Sequence, residues 1–306
     1  MAYDIFISHT SQEVDLAEAL KRQIQEDFAD FEVFISSDDS SIGSNQEWMN
    51  QIKAALLEVK LMVVLCSVDS LKRPWISFEA GAAWIKQIDM MPICHGGLVA
   101  GSLPSSYSAF QSGGINALGV RRLYANITRI FDKKARDEQK IVSAVHALEK
   151  AEKVVMRKKV TAKRLSEANA VGAICFRQDT ADADIEILLV RTSSRDRWIF
   201  PKGTITPGSD HLATLGRELE EEAGVVGDVN AGEPIFLTYR KGDGTQKNLV
   251  LYPVRVISFG PPKEAGRLPT WISASKVLKK LKEGRERDDS FDALATAFNF
   301  FVATRK

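Results

Sequence analysis

At 306 residues the chain is long enough for about two domains, each with its own buried core. Hydrophobic residues at 44%, charged residues at 26% and a formal net charge of +1 exclude a disordered or fibrous polypeptide and give no whole-chain attraction to polyanions, so no nucleic-acid partner is expected. Cys66, Cys94 and Cys175 are too scattered to pair as metal ligands, and no apolar run approaches the roughly 18 residues of a membrane span; buried free thiols in a cytoplasmic protein without membrane partner or signal peptide are expected.

Tyr3 to Ser8 reads as a short apolar strand ending in a small polar residue. Helical periodicity follows from Val14 to Phe28, with Val14, Leu16, Ala17, Leu20 and Ile24 on one stripe. A second strand, Phe31 to Ser36, enters a polar loop ending at Ser44, and a helix covers Glu47 to Glu58. The run Leu61 to Cys66 lacks alternation, as a parallel strand covered on both faces requires. A helix over Trp75 to Gln87 and a strand over Met91 to Cys94 complete the alternation. This order predicts an α/β fold with a doubly wound parallel sheet and a ligand site at the C-terminal ends of its strands.

Residues 126–168 read as a linker, in which Ile127, Ile130, Phe131, Ile141, Val142, Val145 and Leu148 suit one face of a long helix or a helical pair. Between Lys150 and Arg164 the bases face only Glu152, and without interleaved aromatics they read as a solvated connector. Beyond it, Ala170 to Phe176 and Ile185 to Arg191 read as strands flanking an acidic turn. Leu237 to Lys241 and Asn248 to Ile257 read as hairpin strands around Gly242-Asp243-Gly244, and Ser290 to Ala303 as a last helix.

The densest chemistry lies between Gly203 and Val225. On an α-helix Glu218, Glu221 and Glu222 stand at i, i+3 and i+4 and share one face, where they repel one another unless a hard cation such as Mg²⁺ lies among them. Gly224 suits a left-handed helix end, while Gly203 and Gly208 permit a tight loop. The segment resembles the Nudix hydrolase signature G-x5-E-x7-R-E-U-x-E-E-x-G-U, U being a bulky aliphatic residue, at eight of nine defined positions. Ser209 stands where the family has its first glutamate, which implies weaker metal binding or slower turnover. The resemblance implies an α/β/α sandwich with a mixed sheet over 169–306, and Gly203, Glu218, Glu221 and Glu222 as metal and catalytic residues for Mg²⁺, with Mn²⁺ as the alternative. Arg195, Arg197 and Lys202 are placed to approach phosphates, or are simply exposed. The Phe200-Pro201-Lys202-Gly203 approach is similar to Nudix enzymes acting on diphosphoinositol phosphates and dinucleoside polyphosphates, but is too short to fix a substrate.

The first 125 residues resemble a prokaryotic-type TIR domain, on Tyr3 to His9, on Ser41-Ile42-Gly43 through Trp48, and on Ser70 through Trp75-Ile76-Ser77-Phe78-Glu79. In TIR domains that cleave NAD the glutamate four residues after this tryptophan is catalytic, which implies Glu79, with Ser8, Gly43 and Trp75 as substrate contacts. Ile76 replaces a frequent cysteine and Ile42 a frequent proline, which leaves the loop conformation open. From the residues alone, Glu79 among Trp75, Phe78, Ala80 and Gly81 could stabilise the charge that develops on ribose as nicotinamide departs. It could equally be a helix N-terminal acid favoured by the helix dipole. His9 either lines this cleft or sits in a solvated loop, and Trp48 and Trp75 read as helix packing.

Together the two resemblances imply a TIR NAD glycohydrolase joined to a Mg²⁺-dependent Nudix pyrophosphohydrolase that acts on a nucleoside diphosphate derivative such as ADP-ribose. Nucleotide small molecules and a homo-oligomer formed through the TIR segment are the implied partners, and antiviral defence is the implied setting. The alternatives are a Nudix domain that senses a nucleotide and controls the TIR domain, or a non-catalytic TIR assembly module on an active Nudix enzyme.

Overall fold

The computed structural model describes residues 3–37, 45–178, 180, 183–192, 197–241, 243–283 and 289–305. Gly43, with the polar loop around it, and Arg195 lie outside the described residues. The chain divides into two compact units, Met1–Thr161 and Ala162–Lys306.

In the first unit β1 (Ile5–His9), β2 (Val33–Ser37), β3 (Leu61–Cys66), β4 (Asp89–Cys94) and β5 (Gly113–Gly114) form an all-parallel sheet of order β2-β1-β3-β4-β5. Its strands lack polar alternation because both faces are covered. Ile5, Ile7, Leu61, Val63, Leu65, Met91 and Ile93 point to one face, under α1 (Val14–Asp27) and α5 (Ala117–Phe131). Phe6, Met62, Val64, Cys66, Met90 and Cys94 point to the other, under α2 (Asn45–Glu58) and α3 (Pro74–Ile85), with the short α4 (Ser105–Ser108) beside them. The helix α5 starts earlier than the periodicity around Ile127 suggests, because the Asn116 side chain accepts a hydrogen bond from Gly119 N–H at 3.0 Å and caps its first turn.

The connector expectation meets a packed helix. In α6 (Glu138–Glu167), Ile141, Ala144, Leu148 and Val155 enter the first unit's core, while Val142, expected on the apolar face, is 58% exposed. Two of its bases are engaged as well: Lys158 pairs with Asp15 at 2.6 Å, and Lys159 lies 3.5 Å from both Glu13 and Asp69.

The second unit is built on a mixed eight-stranded sheet comprising β6 (Ala170–Arg177), β7 (Glu186–Arg191), β8 (Trp198–Ile199), β9 (Lys202–Thr204), β10 (Val225–Asp228), β11 (Ile235–Arg240), β12 (Gln246–Phe259) and β13 (Thr270–Ser273). The central β12 runs parallel to β6 and antiparallel to β10 and β11. One face is covered by α8 (Ala274–Lys282) and α9 (Asp289–Ala303), the other by α7 (His211–Glu218) and the turn that follows it. All three cysteines are free and buried, and no helix among the described residues is long and apolar enough to cross a membrane.

Candidate functional site

The first site lies at the C-terminal ends of β1 and β2. Ser8 and Ser36 are register partners on these parallel strands, so their side chains share a face. Both hydroxyls donate to Glu79, Ser8 Oγ to Oε2 and Ser36 Oγ to Oε1, each at 2.6 Å, and Trp75 Nε1 donates to Oε1 at 2.9 Å. Glu79 is 0% exposed and is the sixth residue of α3, past the first turn where a helix dipole acts, so it is not a helix-terminal surface acid. Ser8 and Trp75, expected as substrate contacts, both hold the carboxylate, and the Trp75 ring lies tilted against Trp48 at 4.7 Å and Phe78 at 5.2 Å. His9, at 1% exposure, is buried at the end of β1 and not in a solvated loop. Ser36 was missed, though its signal was present: like Ser8, it is the small polar residue closing an apolar strand.

Farther along the same sheet edge, Glu13 is 0% exposed. Its Oε1 lies 3.0 Å from His95 Nε2 and accepts from Ser67 Oγ at 2.6 Å, and its Oε2 accepts from Thr10 N–H at 3.1 Å. Burial opposes the charge, but His95, Ser67 and Thr10 outweigh it and hold the Glu13 pKa down at about 2.

The second site is the loop and helix between Gly203 and Gly224. Asp210 caps α7 by accepting from Ala213 N–H at 2.8 Å, and α7 ends at Glu218. Residues Leu219–Ala223 then form a π-helical turn, closed by Gly224 at φ +63°. The three glutamates expected on one face therefore span the change from α- to π-helix, with the charge of Glu221 acting on Glu218 and that of Glu218 on Glu222. Among the described residues no group of three carboxylate, histidine or cysteine side chains is gathered closely enough to hold a metal.

Glu222 is 3% exposed; its Oε1 lies 2.6 Å from Arg267, and its Oε2 accepts from Lys202 N–H at 2.9 Å. Glu218 leans on the glycine loop: a Cβ at Gly203 would fall 2.0 Å from its Cδ, so only glycine admits the carboxyl there. Similarly, a Cβ at Gly224 would fall 2.2 Å from Gly260 O. Burial, and then the neighbouring acids, push the pKa values of Glu218 and Glu222 up against the pull of nearby arginines. Two carboxyls of raised pKa, one buried and one half-buried, with hard oxygen donors only, fit a divalent cation of the Mg²⁺ type.

Around the acids stands a set of bases. Lys202 has its pKa lowered by burial and then, despite Glu222, by Lys241, Lys247 and Arg267. Lys241 and Lys247 flank the β11–β12 hairpin and, with Arg267, were missed by sequence reasoning. The hairpin glycines marked the turn but said nothing of which way its lysines face. Arg197 is placed beside β8, its backbone N–H donating to Thr192 Oγ1 at 3.4 Å.

The TIR domain family profile matches residues 5–118, and the NUDIX domain profile matches residues 167–293. One chain carries a TIR domain and a NUDIX domain. The second unit is thus of a hydrolase family that generally uses divalent metals. Over 110 residues the chain is 28% identical to diphosphoinositol polyphosphate phosphohydrolase 2 of Rattus norvegicus, covering 36% of this chain and spanning 60% of that relative's length. Among solved structures, an Ap4A hydrolase of C. elegans in a binary complex is 22% identical at a TM-score of 0.34, covering 45% of this chain and 98% of that one. A NUDIX hydrolase from Nitrosomonas europaea is 20% identical at a TM-score of 0.35, covering 45% and 91%.

Proposed function

We propose that this chain is a two-step nucleotide hydrolase, in which the TIR unit releases nicotinamide from NAD and the Nudix unit splits the diphosphate of the ADP-ribose so formed. The observation that carries the second step is the juxtaposition of the Glu218 and Glu222 carboxyls with Lys202, Lys241, Lys247 and Arg267. Acids that would accept a cation stand beside bases that would accept phosphates.

Glu218, Glu222 and the Gly203 carbonyl would hold Mg²⁺, or Mn²⁺, which when bound supplies charge neutralisation for a diphosphate under attack. Lys202 and the hairpin lysines bind and orient the diphosphate. Glu221 has no ion pair or hydrogen bond from its side chain among the described residues, and so is the carboxylate open to take the proton of the attacking water. The water oxygen bonds to phosphorus as the bridging P–O bond breaks, giving AMP and ribose 5-phosphate. At the first site Glu79 faces the positive charge that develops on ribose as the C–N bond breaks. The pyridinium nitrogen keeps the bonding pair, nicotinamide leaves neutral, and water adds to the ribose with loss of a proton. Consumption of NAD by a self-associating TIR unit suits a defence role.

A second reading, the TIR unit as an assembly module, is favoured by the 0% exposure of Glu79. Incubation of the purified protein with NAD and Mg²⁺, dilute and concentrated, with nicotinamide, ADP-ribose and AMP resolved over time, tests both. All three products are expected, with EDTA halting AMP but not nicotinamide. Absence of nicotinamide at every protein concentration favours the assembly module, and failure of added ADP-ribose to give AMP removes the coupling. The basic ring also suits a diphosphoinositol polyphosphate, the compound in the rat relative's name, which serves as the comparison substrate.

A further inference from the structure

The second unit has a cleft that the Nudix signature does not use. It encloses about 530 Å³ and is lined at the ends of β6 and β12 and on β13 by Phe176, Arg177, Arg255, Phe259, Trp271 and Arg305. Two of its three arginines are already engaged. Arg177 lies 2.7 Å from Glu186 Oε2 and 4.2 Å from the Trp271 ring centroid, while Arg305 stacks 3.9 Å from the Phe176 centroid and donates to the Ala231 carbonyl. Arg255 is exposed and has no ion pair or hydrogen bond from its side chain among the described residues. Burial, and then Arg255, lower the pKa of Arg305, and no carboxylate offsets them. Two guanidinium groups, Arg255 and Arg305, therefore line one cleft, and among the described residues neither has a carboxylate partner.

Their planar forks match phosphate oxygens, and a phosphate between them would replace repulsion with charge-assisted hydrogen bonds. The same cleft offers aromatic surface. Phe259 is 48% exposed and meets Trp271 edge to face at 5.9 Å, and Trp271 Nε1 is a buried donor with no acceptor among the described residues. Inorganic phosphate would leave this surface unused, whereas a nucleobase would stack on it.

We propose that this cleft is a second ligand site, for a nucleoside phosphate, with the phosphate between Arg255 and Arg305 and the base against Phe259 and Trp271. The site shares no residue with the metal-binding turn and does not depend on the reactions proposed above. The test is isothermal titration of the full chain with AMP in EDTA, which silences metal-dependent binding. Wild type and Glu221→Gln are expected to bind AMP equally, Arg255→Glu at least tenfold more weakly and Arg255→Gln in between, with unchanged Tm because the side chain is exposed. Adenosine and inorganic phosphate should each bind more weakly than AMP. Undiminished AMP affinity in Arg255→Glu, loss of binding in Glu221→Gln, absence of binding in wild type, or inorganic phosphate binding as tightly as AMP would each overturn the assignment.

Discussion

Replacing Glu79 separates a structural from a chemical role, because the two substitutions that remove its charge differ in what they leave behind. Glu79→Ala strips the acceptor from Ser8, Ser36 and Trp75 at once, in a place where the carboxylate is 0% exposed. Hydrogen bonds to a buried charged acceptor contribute roughly 1.5–3 kcal/mol each, but neighbours are not additive and the serines can re-pair, so a loss of about 4 kcal/mol is expected. For a unit of this size each kcal/mol lowers Tm by roughly 2–4 °C, which gives a fall of about 8–16 °C. Glu79→Gln keeps the shape and an amide oxygen for two of the donors and should cost only about 1–2 kcal/mol. If the charge serves the ribose cation, both variants lose nicotinamide release on NAD, and the Gln variant loses it while still folded. The assay is a nicotinamide time course beside a thermal melt. Wild-type release by a folded Glu79→Gln refutes the catalytic role, and an unchanged melt for Glu79→Ala refutes the account of the buried anchor.

The Nudix acids should divide: Glu221→Gln is expected to lower AMP formation from ADP-ribose at least a hundredfold with Tm unchanged, whereas Glu222→Gln does so and also costs about 2–3 kcal/mol by breaking the buried contact with Arg267. Equal melts for the two variants would count against that division. Gly203→Ala should abolish AMP formation and lower metal affinity in titrations, because its methyl group displaces Glu218; full activity would show that the Glu218 position is dispensable. Ser209→Glu adds an acid beside the metal-binding turn and should lower the Mg²⁺ concentration needed for half-maximal rate, and a higher requirement would sink the idea that Ser209 attenuates the site. For Glu13 the folded pKa of about 2 lies below the ordinary 4.5, so its stabilisation, about 3 kcal/mol, is complete above pH 4.5 and is lost as pH falls toward 2. The stability gap between wild type and Glu13→Gln should shrink over that window in urea melts, and a gap independent of pH would contradict the assignment.

The first unit's sheet was legible because a parallel strand covered on both faces must be apolar throughout, and Leu61 to Cys66 has that pattern to the residue. The strand β5 was not legible: two glycines carry no periodicity, and only the β4 register gives them a partner. The helix α6 was legible as a helix with Ile141 and Leu148 on its apolar face, but Ala144 was not legible as core, nor was Val155, which sits among bases that the sequence alone assigns to solvent. Lys158 and Lys159 turn out to be committed to Asp15, Glu13 and Asp69, acids far away in sequence that only the fold brings near.

The same limit governs the sites. A signature records which residue types recur at fixed offsets, and from it the glycines at 203 and 224 could be read correctly as backbone requirements. What it could not convey is that the helix widens into a π turn at Leu219, so that carboxylates spaced for one α-helical face take separate surroundings: Glu222 buried on Arg267, Glu218 against a glycine, and Glu221 left open. That separation has a chemical consequence. An acid already paired with a buried arginine is a poor base, and a half-buried acid of raised pKa beside other acids is a good place for a cation, so the division of labour among three glutamates follows from unequal surroundings and not from their spacing alone. Glu79 obeys the same rule in the first unit. The donors Ser8, Ser36 and Trp75 come from β1, β2 and its own helix, and it is their convergence, invisible in any one segment, that satisfies a carboxyl group inside an apolar layer.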